Sequence, residues 1–291
     1  MDEWVKDFLS YIASEKGLSQ NTIAAYETDL RKFHAFLRSY GIHNAKEIDG
    51  DTLFLYLEHM NKHKFASSSI ARTLVAIKVF FRFLKRENLI ETNFAKYFAL
   101  PKLWQLIPDV LAPFEVEKLI EQPDISLFDG CRDKAILELL YSSGLRVSEI
   151  YRLEIRDVDD EFVRVLGKGN KERLVPVGQK AIQSIDSYHH FRDVLANEKQ
   201  NKLFVTNKGK SLTRIAIWRM IKLYASQAGI TKNVSPHTLR HCFATHLLDN
   251  GAELRVIQEM LGHANIGSTE RYTHISRAHL HKAFEQFHPR P

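Results

Sequence analysis

The sequence predicts a mainly α protein of two domains, the second carrying a small antiparallel β-sheet. Three observations predict it. Apolar residues recur at helical spacing through the first hundred positions, and a proline-punctuated break falls between Leu100 and Pro113. Residues 161–177 then alternate as a β-hairpin before helical periodicity returns. A chain of 291 residues is long for one core and natural for two.

The elements follow in order. Trp4, Phe8, Leu9 and Ile12 form the stripe of a first helix that closes near Lys16-Gly17. Ser19-Gln20-Asn21-Thr22 offers the N-cap of a second, with Ile23, Tyr26, Leu30, Phe33 and Leu37 on one face and Gly41 at its end. A third helix fits Asp51 to Asn61 and a fourth Ser68 to Arg86. In the fourth, Leu74, Ile77, Phe81 and Leu84 make the apolar stripe, while Lys78, Arg82 and Lys85 recur on another face near Arg72 and Arg86. Such a face reads two ways: as solvated charge, or, behind Ser67-Ser68-Ser69, as a surface for a DNA backbone. Residues 1–98 are therefore read as one domain, 99–112 as a linker and 113–291 as the second domain.

In the second domain a helix starts near Phe114 and another runs from Arg132 to Ser142. Two strands within 161–177 are joined at Gly167-Lys168-Gly169-Asn170, and Leu203-Phe204-Val205 is expected as a third strand. From Thr213 the pattern is helical. In the last helix, within 276–291, Leu280, Ala283, Phe284 and Phe287 share an apolar face.

Composition narrows the function classes. No run reaches the ~18 apolar residues of a membrane span, and MDEWVKDFLSYI lacks the basic-then-apolar pattern of a signal peptide. Two cysteines, Cys131 and Cys242, exclude a disulfide framework and a cysteine-rich zinc site. A cytoplasmic protein with reduced thiols and no membrane contact is expected. The net charge of +6 permits a polyanionic partner without requiring one.

Six polar residues of the second domain stand out. Arg146 follows Tyr141-Ser-Ser-Gly-Leu at a helix–helix corner, where Gly144 ends one helix and Ser148 with Glu149 starts another, and reads as a surface arginine or as a rigidly held phosphate ligand. Lys168 sits in the hairpin turn, as an exposed turn residue or as a mobile proton donor, with Lys171 and Arg173 as neighbouring phosphate contacts. Ser235-Pro236 opens a helix that places His237 and Arg240 on one face. His237 and His241 have zinc-pair spacing, but no glutamate follows His237, no third ligand is evident, and Arg240 would repel a cation. Neither a metal nor any other cofactor is expected. His263 follows a helix built on Leu254, Ile257 and Leu261, and Tyr272 lies nine residues on. Together two arginines, a lysine, two histidines and a tyrosine suit metal-free phosphoryl transfer. The arginines neutralise non-bridging oxygens, and their field helps a hydroxyl of ordinary pKa about 10 act as a nucleophile.

Several stretches resemble the tyrosine recombinase (integrase) family, and within it the Xer recombinases. They are RDKAILELLYSSGLRVSEI, LGKGNKERLVPVG, SPHTLRHCFATHLLDNGAELRVIQEMLGHANI, the YTHI around Tyr272, the linker LPKLWQLIPDVL and the terminal HPRP. The resemblance implies an all-α, SAM-like core-binding domain ahead of a catalytic domain with a three-stranded sheet, closing as a C-shaped clamp on duplex DNA. It implies Arg146, Lys168, His237, Arg240, His263 and the nucleophile Tyr272 as the active site, a 3′-phosphotyrosyl intermediate, and no need for ATP. It raises Arg72, Lys78, Arg82 and Lys85 to expected DNA contacts. It also implies a tetramer on two duplexes, the partner being a second, XerC-like recombinase or the chain itself. In that tetramer the helix of 276–291 docks on a neighbour, although the apolar face fits packing on its own domain equally well.

The function so implied is resolution of chromosome or plasmid dimers at a dif-like site during segregation, with the septal DNA translocase FtsK as activator. No arm-binding module precedes the first helix, which places a phage- or transposon-type integrase second. A type IB topoisomerase would share much of the same catalytic kit, and a non-catalytic DNA-binding accessory protein is the reading from a different class. One departure is local: where relatives tend to read L-S-T-T-Q-I-Y, this chain has Ile266-Gly-Ser-Thr-Glu-Arg-Tyr272, placing Gly267 and Arg271 just ahead of the nucleophile.

Overall fold

The computed structural model describes residues 2–91, 93–98, 110–167, 172–195, 200–262 and 276–291. The chain divides into two compact units, Met1–Leu106 and Ile107–Pro291, each with its own hydrophobic core. Most of the segment expected as the linker, 99–109, lies outside the described residues.

Unit one is built of α1 (Asp2–Ser14), α2 (Gln20–Ser39), α3 (Gly50–Lys62) and α4 (Ser67–Arg86). The expected stripes are the buried faces: Phe8, Ile12, Leu30, Phe33, Leu37, Leu74, Ile77 and Leu84 are each no more than 1% exposed. Phe8 meets Phe80 edge-on at 5.3 Å and Phe33 meets Tyr56 at 4.9 Å, geometries that add to simple area burial. Ser19 caps α2 by accepting from the Thr22 amide, and Asp49 does the same for α3 through Thr52. The N-cap of α4 is Ala66, so Ser67-Ser68-Ser69 form the first turn without a side-chain cap.

Arg72, expected at a DNA surface, is engaged within its own unit. Its Nε and Nη2 donate to the two carboxylate oxygens of Asp29, at 2.8 and 2.9 Å. Asp29 is 2% exposed, so its charge needs this partner and the pair ties α4 to α2. Arg82 and Lys85 are exposed and Lys78 is half-buried; none of the three forms an ion pair with a described residue.

Unit two contains α5 (Pro113–Ile120), α6 (Phe128–Ser143), α7 (Val147–Ile150), β1 (Phe162–Leu166), β2 (Glu172–Pro176), α8 (Gln179–Leu195), α9 (Arg214–Gln227), α10 (Pro236–Asp249), α11 (Leu254–Leu261) and α12 (Arg277–Phe287). α6 is buried from Gly130 to Ser143 except at Lys134, in keeping with a sequence that has no single polar face. Its interior charges are paired: Arg132 with Asp133 at 2.7 Å, and Glu138 with Arg290 at 2.5 Å. No helix of the described residues is long and apolar enough to cross a membrane.

The class is the one expected, but among the described residues the sheet has two strands, β1 and β2, antiparallel with Val165 opposite Arg173. Leu203-Phe204-Val205 does not add a third strand. The Leu203 amide donates to the Leu153 carbonyl, the Val205 amide to the Tyr188 hydroxyl, and the Leu203 carbonyl accepts from Arg192. With those groups engaged elsewhere, the segment makes only isolated bridges, such as Val205 to Ser211.

The apolar face of α12 packs on its own unit: Leu280, Ala283 and Phe284 are buried in the core built by α6, α10 and their neighbours. The tail that follows is fixed as well. His288 stacks on Phe284 at 4.7 Å, and Arg290 also reaches Glu117 at 2.9 Å.

Candidate active site

The site starts at a corner between helices. α6 ends at Gly144, whose φ of +57° is left-handed, and a Cβ there would run into the Phe243 ring of α10. Only glycine meets both demands without strain. The chain turns, buries Leu145 and places Arg146 at the N-cap of α7. The Arg146 amide donates to Glu149 Oε2 at 2.8 Å, and its Nη1 donates to Oε1 at 3.0 Å.

Glu149 is shared. Arg173, on β2, donates from Nη1 to Oε1 at 2.9 Å and from Nη2 to Oε2 at 3.0 Å. Burial works to raise the Glu149 carboxyl; the hydrogen bonds and charge of Arg173, then Arg146, overcome it and hold the group below its ordinary value.

α10 supplies the second arm. Ser235 caps it, with Pro236 at the first position, which sets His237 in the first turn and Arg240 in the next. The Arg240 guanidinium is buried and donates from Nη1 to the Gly144 carbonyl at 2.6 Å and from Nη2 to the Leu261 carbonyl at 2.7 Å. Burial and then the charge of Arg146 lower its pKa to about 10, so it stays cationic at neutral pH. His237 is held below its usual value by desolvation and then by Arg214, Arg240 and Arg146, which keeps the imidazole neutral and able to accept a proton.

These arms meet at the end of α11. Three consecutive carbonyls each accept from a different arginine: Met260 from Arg173 at 2.9 Å, Leu261 from Arg240 at 2.7 Å, Gly262 from Arg146 at 3.4 Å. A helix C-terminus is where unpaired carbonyls and the negative end of the dipole favour cations. Gly262 caps the helix at φ +64°, and a Cβ there would lie 2.9 Å from Arg173 Cδ.

The structure thus brings together Arg146, His237 and Arg240. Arg173, expected as a phosphate contact, is instead turned inward, 11% exposed and engaged by Glu149 and Met260. Lys168, Lys171, His263 and Tyr272, with Gly267 and Arg271, lie outside the described residues. Sequence reasoning reads Glu149 only as a helix-start residue and misses its second role. The period of two along β2 is the available signal for Arg173, because it shares a face with buried Val175.

A buried relay supports α6 and α10 from behind. His246 donates from Nε2 to the Leu111 carbonyl at 2.8 Å, so its Nδ1 accepts from the Tyr141 hydroxyl, also at 2.8 Å. The Leu111 amide donates to Cys242 Sγ. His288 Nε2 donates to the Tyr141 carbonyl, leaving Nδ1 to accept from the Arg290 amide at 3.0 Å.

Comparison with known proteins gives the family. Residues 109–279 match the phage integrase family and residues 5–88 match the phage integrase N-terminal SAM-like domain. The chain is 43% identical over 294 residues to tyrosine recombinase XerD of Staphylococcus saprophyticus subsp. saprophyticus, covering 100% of both chains. Two solved structures share the fold. XerH site-specific recombinase bound to palindromic difH, a post-cleavage complex, superposes with TM-score 0.73 at 22% identity, over 90% of this chain and 88% of that one. A lambda integrase(75-356) dimer bound to a COC′ core site gives 0.72 at 17% identity, over 95% and 99%. By its family match and its full-length likeness to XerD, the chain belongs to the tyrosine recombinases, in the Xer branch of the phage integrase family, and is a site-specific recombinase.

Proposed function

We propose that the chain cleaves DNA by attack of the Tyr272 hydroxyl oxygen on a phosphodiester. The new bond is phosphorus to tyrosine oxygen, the bond broken is phosphorus to the 5′-oxygen, and the product is a 3′-phosphotyrosyl link. Arg146 and Arg240 bind the non-bridging oxygens as negative charge grows on them. Lys168 protonates the departing 5′-oxygen, neutral His237 takes the tyrosine proton or hydrogen-bonds the phosphate, and His263 assists at the same oxygens. A 5′-hydroxyl then attacks the link and restores the diester, so bond energy is conserved and no ATP is consumed.

The observation that carries this reading is the convergence of Arg146 and Arg240 on one helix end with His237 in their field. A nicked suicide substrate tests it. The wild-type chain forms a covalent protein–DNA adduct, and Tyr272→Phe forms none. An adduct at the wild-type rate from Tyr272→Phe would remove the nucleophile assignment. Noncovalent binding by the wild type on every nicked substrate would instead favour an accessory protein.

The biological reading is resolution of chromosome dimers at a dif-like duplex site in the cytoplasm. The recombinase acts within a tetramer on two duplexes, with a XerC-like recombinase or further copies of itself, and the septal translocase FtsK activates it. XerH is the relative whose complex holds a difH site, which supports the substrate class. Recombination of two palindromic sites by the purified chain alone supports the self-paired form. No product until a second Xer protein is added supports the paired form.

A further inference from the structure

Arg173 occupies a position that neither a surface charge nor a DNA contact explains. All three of its guanidinium nitrogens donate, to both oxygens of Glu149 and to the Met260 carbonyl. Side-chain exposure is 11% for Arg173 and 4% for Glu149, against 34% for Arg146. The carboxylate is therefore neutralised chiefly from the buried side, by Arg173, while Arg146 keeps part of its guanidinium open to solvent. Were Glu149 left to Arg146 alone, the full carboxylate charge would draw that guanidinium into a closed ion pair and cancel the charge offered to an incoming phosphate.

We propose that Arg173 is a positioning residue for strand cleavage: it neutralises and fixes Glu149, so that Arg146 remains available to phosphate. The inference depends on the reading of Arg146 as a phosphate ligand. A lysine cannot substitute fully, because one ammonium cannot follow two carboxylate oxygens and a carbonyl in the fixed fork that a guanidinium provides.

The test uses the full chain on a nicked suicide substrate at saturating DNA, with duplex binding followed separately over a range of salt. Arg173→Ala is expected to slow adduct formation on the order of 10–100-fold, the loss typical when a partner that orients a ligating side chain is removed. Duplex affinity and its salt slope change little, because Arg173 itself touches no phosphate and Arg146 is needed at the scissile phosphate chiefly as charge grows in the transition state. Arg173→Lys recovers part of the rate. In a Glu149→Gln background, where no carboxylate charge remains to be neutralised, Arg173→Ala causes little further loss.

A drop of about one in the salt slope with an unchanged cleavage rate would make Arg173 a phosphate contact and overturn the proposal. Losses from Arg173→Ala and Glu149→Gln that multiply would also overturn it. If Arg173→Ala does not fold, Arg173→Gln and Arg173→Lys carry the same comparison. Arg146→Ala separates the two levels: wild-type cleavage by that variant defeats the reading of the site itself. Loss of cleavage in Arg146→Ala with none in Arg173→Ala defeats only the positioning role.

Discussion

The Arg240 guanidinium and the Gly144 carbonyl, 96 residues apart in the sequence, are joined by a hydrogen bond of 2.6 Å. That bond fixes the first turns of α10 to the left-handed corner from which Arg146 departs, so the two arginines proposed to bind phosphate share one frame. The same guanidinium reaches Leu261, so Arg240 acts as a bracket beside its proposed role toward phosphate.

Arg240→Lys is expected to retain charge and lose the bracket. A single ammonium cannot span the Gly144 and Leu261 carbonyls while binding phosphate. Adduct formation should fall by about 10²–10³, as when one preorganised transition-state donor is removed, with duplex binding nearly intact. Single-turnover cleavage checks this, and a wild-type rate would refute it.

Gly144→Ala should destabilise the second unit by about 2–4 kcal/mol, adding left-handed strain to overpacking against Phe243. Urea denaturation without DNA reads the change. Phe243→Leu in the same background should recover the packing part and leave the backbone part.

Acid should weaken the fold in two windows. Burial pushes His288 down from 6.5 to about 4. The unfolded chain therefore takes up this proton near pH 6.5 and the folded chain only near pH 4. The stability is fully present above 6.5 and is lost as pH falls through that interval, roughly 3 kcal/mol in all. His246, also lowered by burial, acts in the same direction. Glu149 is held below its ordinary 4.5, so its contribution is present above that value and is lost at lower pH, as the carboxyl protonates in the folded state. Urea midpoints against pH should show both stages. His288→Gln should flatten the upper one and Glu149→Gln the lower; an unaltered upper slope in His288→Gln would rule out this source.

The basic face of α4 and its neighbour Arg72 should separate cleanly. Replacing Lys78, Arg82 and Lys85 together by alanine should weaken duplex binding for all sequences and lower the salt slope by about three, with the melting temperature unchanged. Arg72→Ala should cost about 1–3 kcal/mol of stability instead, because it leaves Asp29 buried without its charged partner.

What can be read from the sequence is whatever depends on near neighbours. The stripes of α1 to α4 show in a period of 3.6, and the caps at Ser19 and Ser235 are signals three residues long. Glu149 is visible as a cap for the same reason. Its bond to Arg173, 24 residues away, is set by how β2 lies against α7, and no local pattern encodes that. Arg72 shows the same limit from the opposite side. Nearness in the sequence groups it with Lys78, Arg82 and Lys85, and only the packing of α2 reveals its bond to Asp29. The expected third strand failed because apolar character in Leu203–Val205 shows burial but not which groups its amides will find.

The three arginine-bound carbonyls at the end of α11 make one peptide turn the common datum for parts that come from an α7 cap, a β-strand and a helix N-terminus. An insertion or deletion between Leu254 and Gly262 would shift all three guanidiniums at once, whereas substitutions at exposed positions such as Leu254 or Glu259 would shift none. In that stretch the protein tolerates changes of spelling but not of length.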